Sequence, residues 1–251
     1  MKMTDEQDEK LLFLATASQD DFTLVHASPT ARCKAFLLVT SASGGGKAGG
    51  EDVSGLLAFY RHARSTVISD GFQRDIDWAS AINPPTTPYE FACEVIFVIC
   101  NSGMKATVAA RIFRRVISAK RRGLPATSSG FGHALKCRAI DDAWAGRKRR
   151  WRTYMEQPND VRKLAFLGCF DHVGPITVYH LAKNFGLQVA KPDRHLARIC
   201  EHARQPSVQR MCESLAEQSG DCVPVVDMVL WRYAEQHPAY LNDLYRIGST
   251  P

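Results

Sequence analysis

The sequence lacks several features that define common protein classes. No uninterrupted apolar run approaches the ~18–20 residues that a membrane-spanning helix requires, so we expect no membrane partner. Residues 1–10 are polar and acidic, which argues against a signal peptide and favours a cytoplasmic location. Regular alternation of apolar and polar residues is almost absent, so the sequence predicts few β-strands.

Metal-binding and disulfide patterns are also missing. None of the eight cysteines forms a CxxC pair, and the gaps between Cys200, Cys212 and Cys222 match no zinc or iron–sulfur spacing. In a chain long enough to build a core, scattered cysteines are typical of reduced, buried side chains. We therefore expect reduced thiols and no metal or other cofactor.

A Gly-rich stretch at residues 41–50 superficially resembles a phosphate-binding loop. Lys47 is followed by Ala48 instead of Ser or Thr, and position 41 carries Ser where the loop needs Gly. We therefore interpret residues 1–50 as an N-terminal extension of unknown role with a Gly-rich linker, and residues 51–251 as a helical domain.

Helical periodicity dominates the rest of the chain, so the predicted fold class is all-α. The segment from Tyr89 to Cys100 is nearly all apolar, which is typical of a helix buried on most sides. The net charge of +6 favours an anionic partner such as nucleic acid. Further helices are predicted at residues 52–64, 106–118, 161–169, 177–185, 192–203, 207–219 and 223–235, and within 132–155.

A tight turn at Phe170–Asp–His–Val–Gly174 joins two of these helices, which predicts a helix–hairpin–helix at about residues 161–186. Backbone N–H groups at such a turn and at the following helix start can hold a phosphate oxygen. That contact would be independent of base sequence and weakened by salt. After the hairpin, Asp193 falls near the start of another helix, where the helix dipole favours a carboxylate. The simplest alternative for Asp193 is N-terminal capping.

Together, the hairpin and the Asp193 segment resemble the helix-hairpin-helix Gly/Pro-Asp signature of the endonuclease III superfamily of DNA glycosylases. The family pattern is L-P-G-V-G, a helix, then V-D-T-H-V-x-R. This chain has Phe170–Asp–His–Val–Gly–Pro–Ile–Thr–Val178 and Pro192–Asp–Arg–His–Leu–Ala–Arg198. The resemblance is strong there and extends weakly over roughly residues 85–235.

The resemblance implies a two-lobed helical glycosylase fold that acts on double-stranded DNA carrying a damaged or modified base. The base is flipped out of the duplex, and Asp193 stabilises the oxocarbenium ion and activates water, with no metal or cofactor. We expect a monomer, nucleoid-associated in a bacterial or phage-type cytoplasm. The implied DNA-binding residues are His172, Val173, Gly174, Ile176, Thr177 and Lys191.

The chain departs from the family at three informative positions. Bifunctional members carry a Schiff-base Lys where this chain has Ile176, which predicts a monofunctional enzyme without strand cleavage. Asp171 and His172 replace the Pro–Gly of the hairpin tip.

Weaker candidates surround this core signature. Asn101 and Ser102 stand where relatives fill the gap left by the flipped base, although a simple loop break explains them equally well. His195 is a base-pocket candidate or a local structural residue. Lys136 and Arg138 are candidate phosphate contacts.

Two other functions remain open on the sequence alone. The same fold could carry a phage-type transferase that modifies a DNA base, or a non-catalytic DNA-binding module that uses only the hairpin. A panel of modified-base duplexes separates hydrolysis from transfer, and Asp193→Asn separates both from simple binding.

Overall fold

The computed structural model describes residues 53–248. Within these residues there are twelve α-helices and one 3₁₀ helix (Ala126–Ser129) and no β-strand, so the protein is all-α, as the sequence predicts. No helix in this part of the chain combines the length and the apolar character needed to cross a membrane. The Gly-rich residues 41–50 lie outside the described part.

The α-helices, numbered along the chain, are α1 (Val53–Ser69), α2 (Gln73–Ser80), α3 (Pro88–Asn101), α4 (Ala106–Arg121), α5 (Ala134–Ala145), α6 (Arg147–Met155), α7 (Asp160–Leu167), α8 (Thr177–Asn184), α9 (Arg194–His202), α10 (Val208–Ser219), α11 (Val223–Gln236) and α12 (Tyr240–Gly248). They divide into two compact units. The first contains residues 84–185 with α3–α8, and the second contains residues 53–83 and 186–248 with the other helices.

Helix α3 is the central element of the first unit. Pro88 occupies its first turn, and the Thr87 hydroxyl accepts a hydrogen bond from the Glu90 N–H at 3.1 Å, so the helix starts with a standard cap. Every residue from Val95 to Cys100 is fully buried. Helices α4, α5, α6 and α8 pack around α3, which confirms the prediction of a helix buried on most sides.

Helix α11 has the same role in the second unit. It packs against α1, α2, α9 and α10, and every residue from Val223 to Ala234 is buried, including Asp227 and Arg232. Arg232 Nε donates to Asp75 Oδ2 at 2.7 Å. This pairing compensates a charge that would otherwise be costly to bury.

Two expectations about the described residues are corrected by the structure. The helical stretch predicted within residues 132–155 is two helices, because Gly146 ends α5 and α6 begins at Arg147. Six cysteines are free thiols, namely Cys93, Cys100, Cys137, Cys200, Cys212 and Cys222. Cys169 is disulfide-bonded, so the prediction of reduced thiols throughout is wrong at this residue.

Candidate functional site

The hairpin of the first unit is a helix–turn–helix formed by α7, residues 168–176 and α8. The Asn159 side chain caps α7 by accepting the Arg162 N–H at 3.0 Å. The turn closes where the Val173 N–H donates to the Phe170 carbonyl at 3.2 Å, and the Val178 N–H donates to the Gly174 carbonyl at 2.9 Å. Short local contacts therefore determine the path of the turn.

Phe170 anchors this turn to the unit's core. Its ring lies 5.9 Å from that of Phe91 on α3, and equally far from that of Phe166 on α7. The guanidinium of Arg150 covers the same ring at 4.9 Å from its centroid. A cation over an aromatic face is favourable, so Arg150 on α6 stabilises the hairpin.

The candidate site of this unit is formed by the backbone N–H groups of the hairpin tip. Those of His172, Gly174, Ile176 and Thr177 have no hydrogen-bond acceptor within residues 53–248. All four residues are partly exposed. Val173 differs, since its side chain is buried and its N–H is used inside the turn. Of the five hairpin residues expected to bind DNA, four are thus partly exposed and carry a backbone N–H without an acceptor in the described part of the chain.

His172 has a backbone conformation that normally favours glycine. Its φ is +63°, in the left-handed region. A non-glycine residue pays roughly 1–2 kcal/mol there because its Cβ approaches the backbone. The hairpin tip therefore forms this turn without a glycine at position 172.

Gly174 needs no special conformation, since its φ is not positive. A Cβ built on it would meet only Thr177 Oγ1, at 4.0 Å. Neither backbone strain nor internal packing therefore requires glycine here. A Cβ here would stand next to the unbonded N–H of Gly174 itself, because both are attached to the same Cα.

Asp193 belongs to the second unit, where it caps α9. Its Oδ1 accepts hydrogen bonds from the His195 N–H at 3.0 Å and the Leu196 N–H at 3.1 Å. The residue is buried, with 6% of its surface exposed. The structure thus gives Asp193 the capping role that the sequence leaves open, and it places a carboxylate at a helix N-terminus, where the dipole stabilises the charge.

The two lysines near these motifs in sequence are both interior residues. Lys183 and Lys191 are each 8% exposed, so Lys191 is not the open surface cation that a simple DNA contact requires. The Lys191 backbone N–H donates to Asp227 Oδ1 at 2.5 Å. Asp227 therefore helps to fix the segment that leads into Asp193.

The structure also gives the positions and partners of the remaining base-pocket candidates. Asn101 is the last residue of α3, 4% exposed, and its Oδ1 has no hydrogen-bond partner among the described residues. The Ser102 carbonyl accepts a hydrogen bond from Lys136 Nζ.

His195, in the second unit, accepts a hydrogen bond from Arg194 Nε at 3.3 Å through its Nε2. Its Nδ1 therefore carries the ring proton and points it toward the Tyr240 hydroxyl at 3.4 Å. Burial lowers the pKa of His195, which favours this neutral form.

Sequence reasoning missed His133. Its Nδ1 accepts the Lys136 N–H at 3.3 Å as the cap of α5, and its ring packs edge-on against His172, with centroids 5.7 Å apart. A lone His before a helix gives no signal of a partner so distant in sequence. No group of three or more His, Cys, Asp or Glu side chains that could hold a metal ion occurs within residues 53–248.

Comparisons with models of protein families, with curated proteins and with solved structures find no match to this chain.

Proposed function

We propose that the chain is a monofunctional DNA glycosylase, which hydrolyses the N-glycosidic bond of a damaged or modified base flipped out of duplex DNA. The observation that carries the proposal is the hairpin tip, with four partly exposed backbone N–H groups that lack an acceptor among the described residues. Such donors at a helix start are suited to phosphate oxygens. The partner we propose is therefore double-stranded DNA.

Asp193 is the proposed catalytic residue. Cleavage of the glycosidic bond leaves positive charge on the sugar, and a fixed carboxylate stabilises that charge and can orient or deprotonate the attacking water. The two N–H groups bonded to Oδ1 hold this carboxylate in one orientation. Ile176 at the position of the family's Schiff-base lysine makes the proposed enzyme monofunctional.

A second candidate is a DNA-binding protein without catalysis. The observation that favours it is the burial of Asp193 together with its cap, because a capping carboxylate needs no further role. The glycosylase and the non-catalytic DNA-binding protein both use the hairpin to bind DNA. They differ only in whether Asp193 takes part in catalysis.

The decisive experiment incubates the protein with duplexes that carry a panel of damaged and hypermodified bases. Abasic sites, revealed by alkaline strand cleavage, are the expected product. An intact strand with a base of altered mass would indicate a transferase instead. Asp193→Asn is the matched variant, because Asn caps helices as well as Asp but carries no charge.

We expect Asp193→Asn to lower turnover about 100-fold or more, with DNA affinity nearly unchanged. A variant that leaves every DNA-dependent property unchanged would favour the non-catalytic candidate. If no duplex of the panel yields an abasic site with the wild type, the glycosylase assignment fails for those bases and the binding function alone remains supported.

A further inference from the structure

Lys136 is a buried cation without a carboxylate partner within residues 53–248. The residue is 5% exposed, and Ser102 supplies the one acceptor that its Nζ contacts among these residues. An ammonium has three donors, so this contact leaves two of them and the charge uncompensated. Burial lowers the pKa of Lys136, which is the response of a cation that lacks a counterion.

Two imidazoles lie at the start of α5, the helix that carries this lysine. His133 is exposed and His172 is half-buried, and their rings meet edge to face. Because His133 Nδ1 accepts the Lys136 N–H, its Nε2 is left to carry the ring proton. Lys136 lowers the pKa of His172 through space, so the ammonium and this ring lie within electrostatic reach of each other.

We propose that Lys136, His133 and His172 form a binding site for a phosphate oxyanion, supplied either by the DNA backbone or by a free phosphate compound. The site offers one ammonium, the Nε2–H of His133 and, once His172 is protonated, the ring N–H of His172 that does not bond the Leu135 carbonyl. These groups come from two elements, the N-terminal end of α5 and the hairpin tip. The site uses side chains, whereas the proposed function rests on the backbone N–H groups of the hairpin. If the test shows no anion binding at these side chains, the proposed function is therefore not contradicted.

The groups around His172 determine how the site responds to pH. Burial lowers its pKa most, and Lys136 and His133 lower it further, whereas Asp171 and a hydrogen bond from the ring to the Leu135 carbonyl raise it. From α3, Cys100 faces Lys136 as a neutral thiol, because burial raises the pKa of Cys100 to about 12. A bound anion favours the charged imidazolium and so raises the pKa of His172. An anion of constant charge therefore binds more tightly as the pH falls.

The test follows the histidine ring signals by NMR while the pH is varied. The probes are inorganic sulfate, whose charge stays constant, thymidine 5′-monophosphate and an undamaged DNA duplex. We expect the anion to raise the pKa of His172 by about one pH unit or more. His202, exposed on α9 in the other unit, is the internal reference and should not respond to sulfate.

The pattern of responses identifies the source of the phosphate. A rise with both sulfate and the duplex assigns the site to the DNA backbone, and a rise with sulfate or the nucleotide but not the duplex assigns it to a free phosphate compound. No rise at His172 with any probe, or an equal rise at His202 with sulfate, overturns the proposal.

A variant supplies the second measurement. Lys136→Met keeps the length and apolar stem of the side chain and removes the charge, and we expect sulfate affinity to fall about tenfold or more. Lys148→Met, at an exposed position of α6, is the matched control. Equal weakening by the two variants would mean a diffuse charge effect and would contradict a local site. If Lys136→Met does not fold, the wild-type ring titration alone decides.

Discussion

The carboxylate of Asp227 accepts the backbone N–H of Lys191 at 2.5 Å, and the carbonyl of the same Lys191 accepts the N–H of Asp193 at 2.8 Å. One peptide segment thus connects a buried residue of the central helix α11 to the cap of α9. Asp227 is 2% exposed, so its acceptor is shielded from water. The packed interior of this unit is therefore what positions the proposed catalytic carboxylate.

Replacing Asp227 should reveal this dependence. Asp227→Ala leaves the Lys191 N–H without its acceptor, and we expect the free energy of unfolding to fall by about 1–3 kcal/mol, measured by urea denaturation. Asp227→Asn retains an oxygen that can accept the same bond and should cost clearly less. If both variants lose the same stability, the charge of Asp227 matters and the hydrogen bond to Lys191 does not.

The sequence predicted the helices and the hairpin because local patterns determine them. Apolar spacing located α3 and α11, and the helix predicted at residues 177–185 ends at Asn184, shortly before Gly186 with its φ of +77°. Helix α12 was not predicted, and neither was helix α2, since Gln73–Ser80 carries mostly polar residues and packs through few apolar side chains. The stability of α2 comes from contacts with α11 and α1, which one sequence does not show.

The candidate site was predictable only in part, for the same reason. The hairpin and Asp193 are short segments whose chemistry is visible in order along the chain. The pairing of His133 with His172 joins residues far apart in sequence, and the burial of Lys191 depends on packing around it. Neither follows from spacing, because tertiary contacts decide which polar side chains reach solvent.

Gly174→Ala tests the hairpin as a phosphate site. The added methyl group has room in the fold, so the free energy of unfolding should remain within about 0.5 kcal/mol of the wild-type value. The methyl group would stand next to the unbonded N–H of residue 174, which is attached to the same Cα. We therefore expect DNA affinity to fall about tenfold or more, since hydrogen bonds to a charged partner contribute ~1.5–3 kcal/mol.

Gly168→Ala is the control for this experiment. A Cβ on Gly168, in the same turn, would make an ordinary contact of 3.4 Å with the Ala165 carbonyl and lies at the end of α7. Its DNA affinity should match that of the wild type in fluorescence anisotropy at fixed salt concentration. Unchanged affinity in the folded Gly174→Ala variant would show that phosphate does not bind at this turn.

His172→Gly should stabilise the hairpin tip. Glycine adopts the left-handed conformation of this position without the Cβ clash, although it also increases the freedom of the unfolded chain. The net gain at pH 8 should be about 0.5–1 kcal/mol by urea denaturation. A loss of stability would mean that the packing of the His172 ring against His133 outweighs the backbone strain.

The stability that His172→Gly gains over the wild type, measured as free energy of unfolding, should grow as the pH falls. Burial lowers the pKa of His172 in the folded protein from its usual 6.5. Above pH 6.5 the His172 ring is neutral in the folded and in the unfolded protein, so it does not make the free energy of unfolding depend on pH. Below it the unfolded chain takes up the proton first, so the wild type loses stability that the glycine variant retains. Denaturation at pH 8 and pH 5.5 measures this, and an identical gain at both values would contradict the lowered pKa.

The absence of a lysine at position 176 leads to a prediction about covalent chemistry. A Schiff base forms between a lysine amine and the aldehyde of an abasic site, and borohydride reduces it to a stable protein–DNA adduct. We expect the wild type to yield no such adduct with abasic duplex on a denaturing gel. Ile176→Lys, at a partly exposed position beside the hairpin donors, should yield one. A strong adduct with the wild type would show that another amine of the chain performs the lyase step and that Ile176 does not define the reaction.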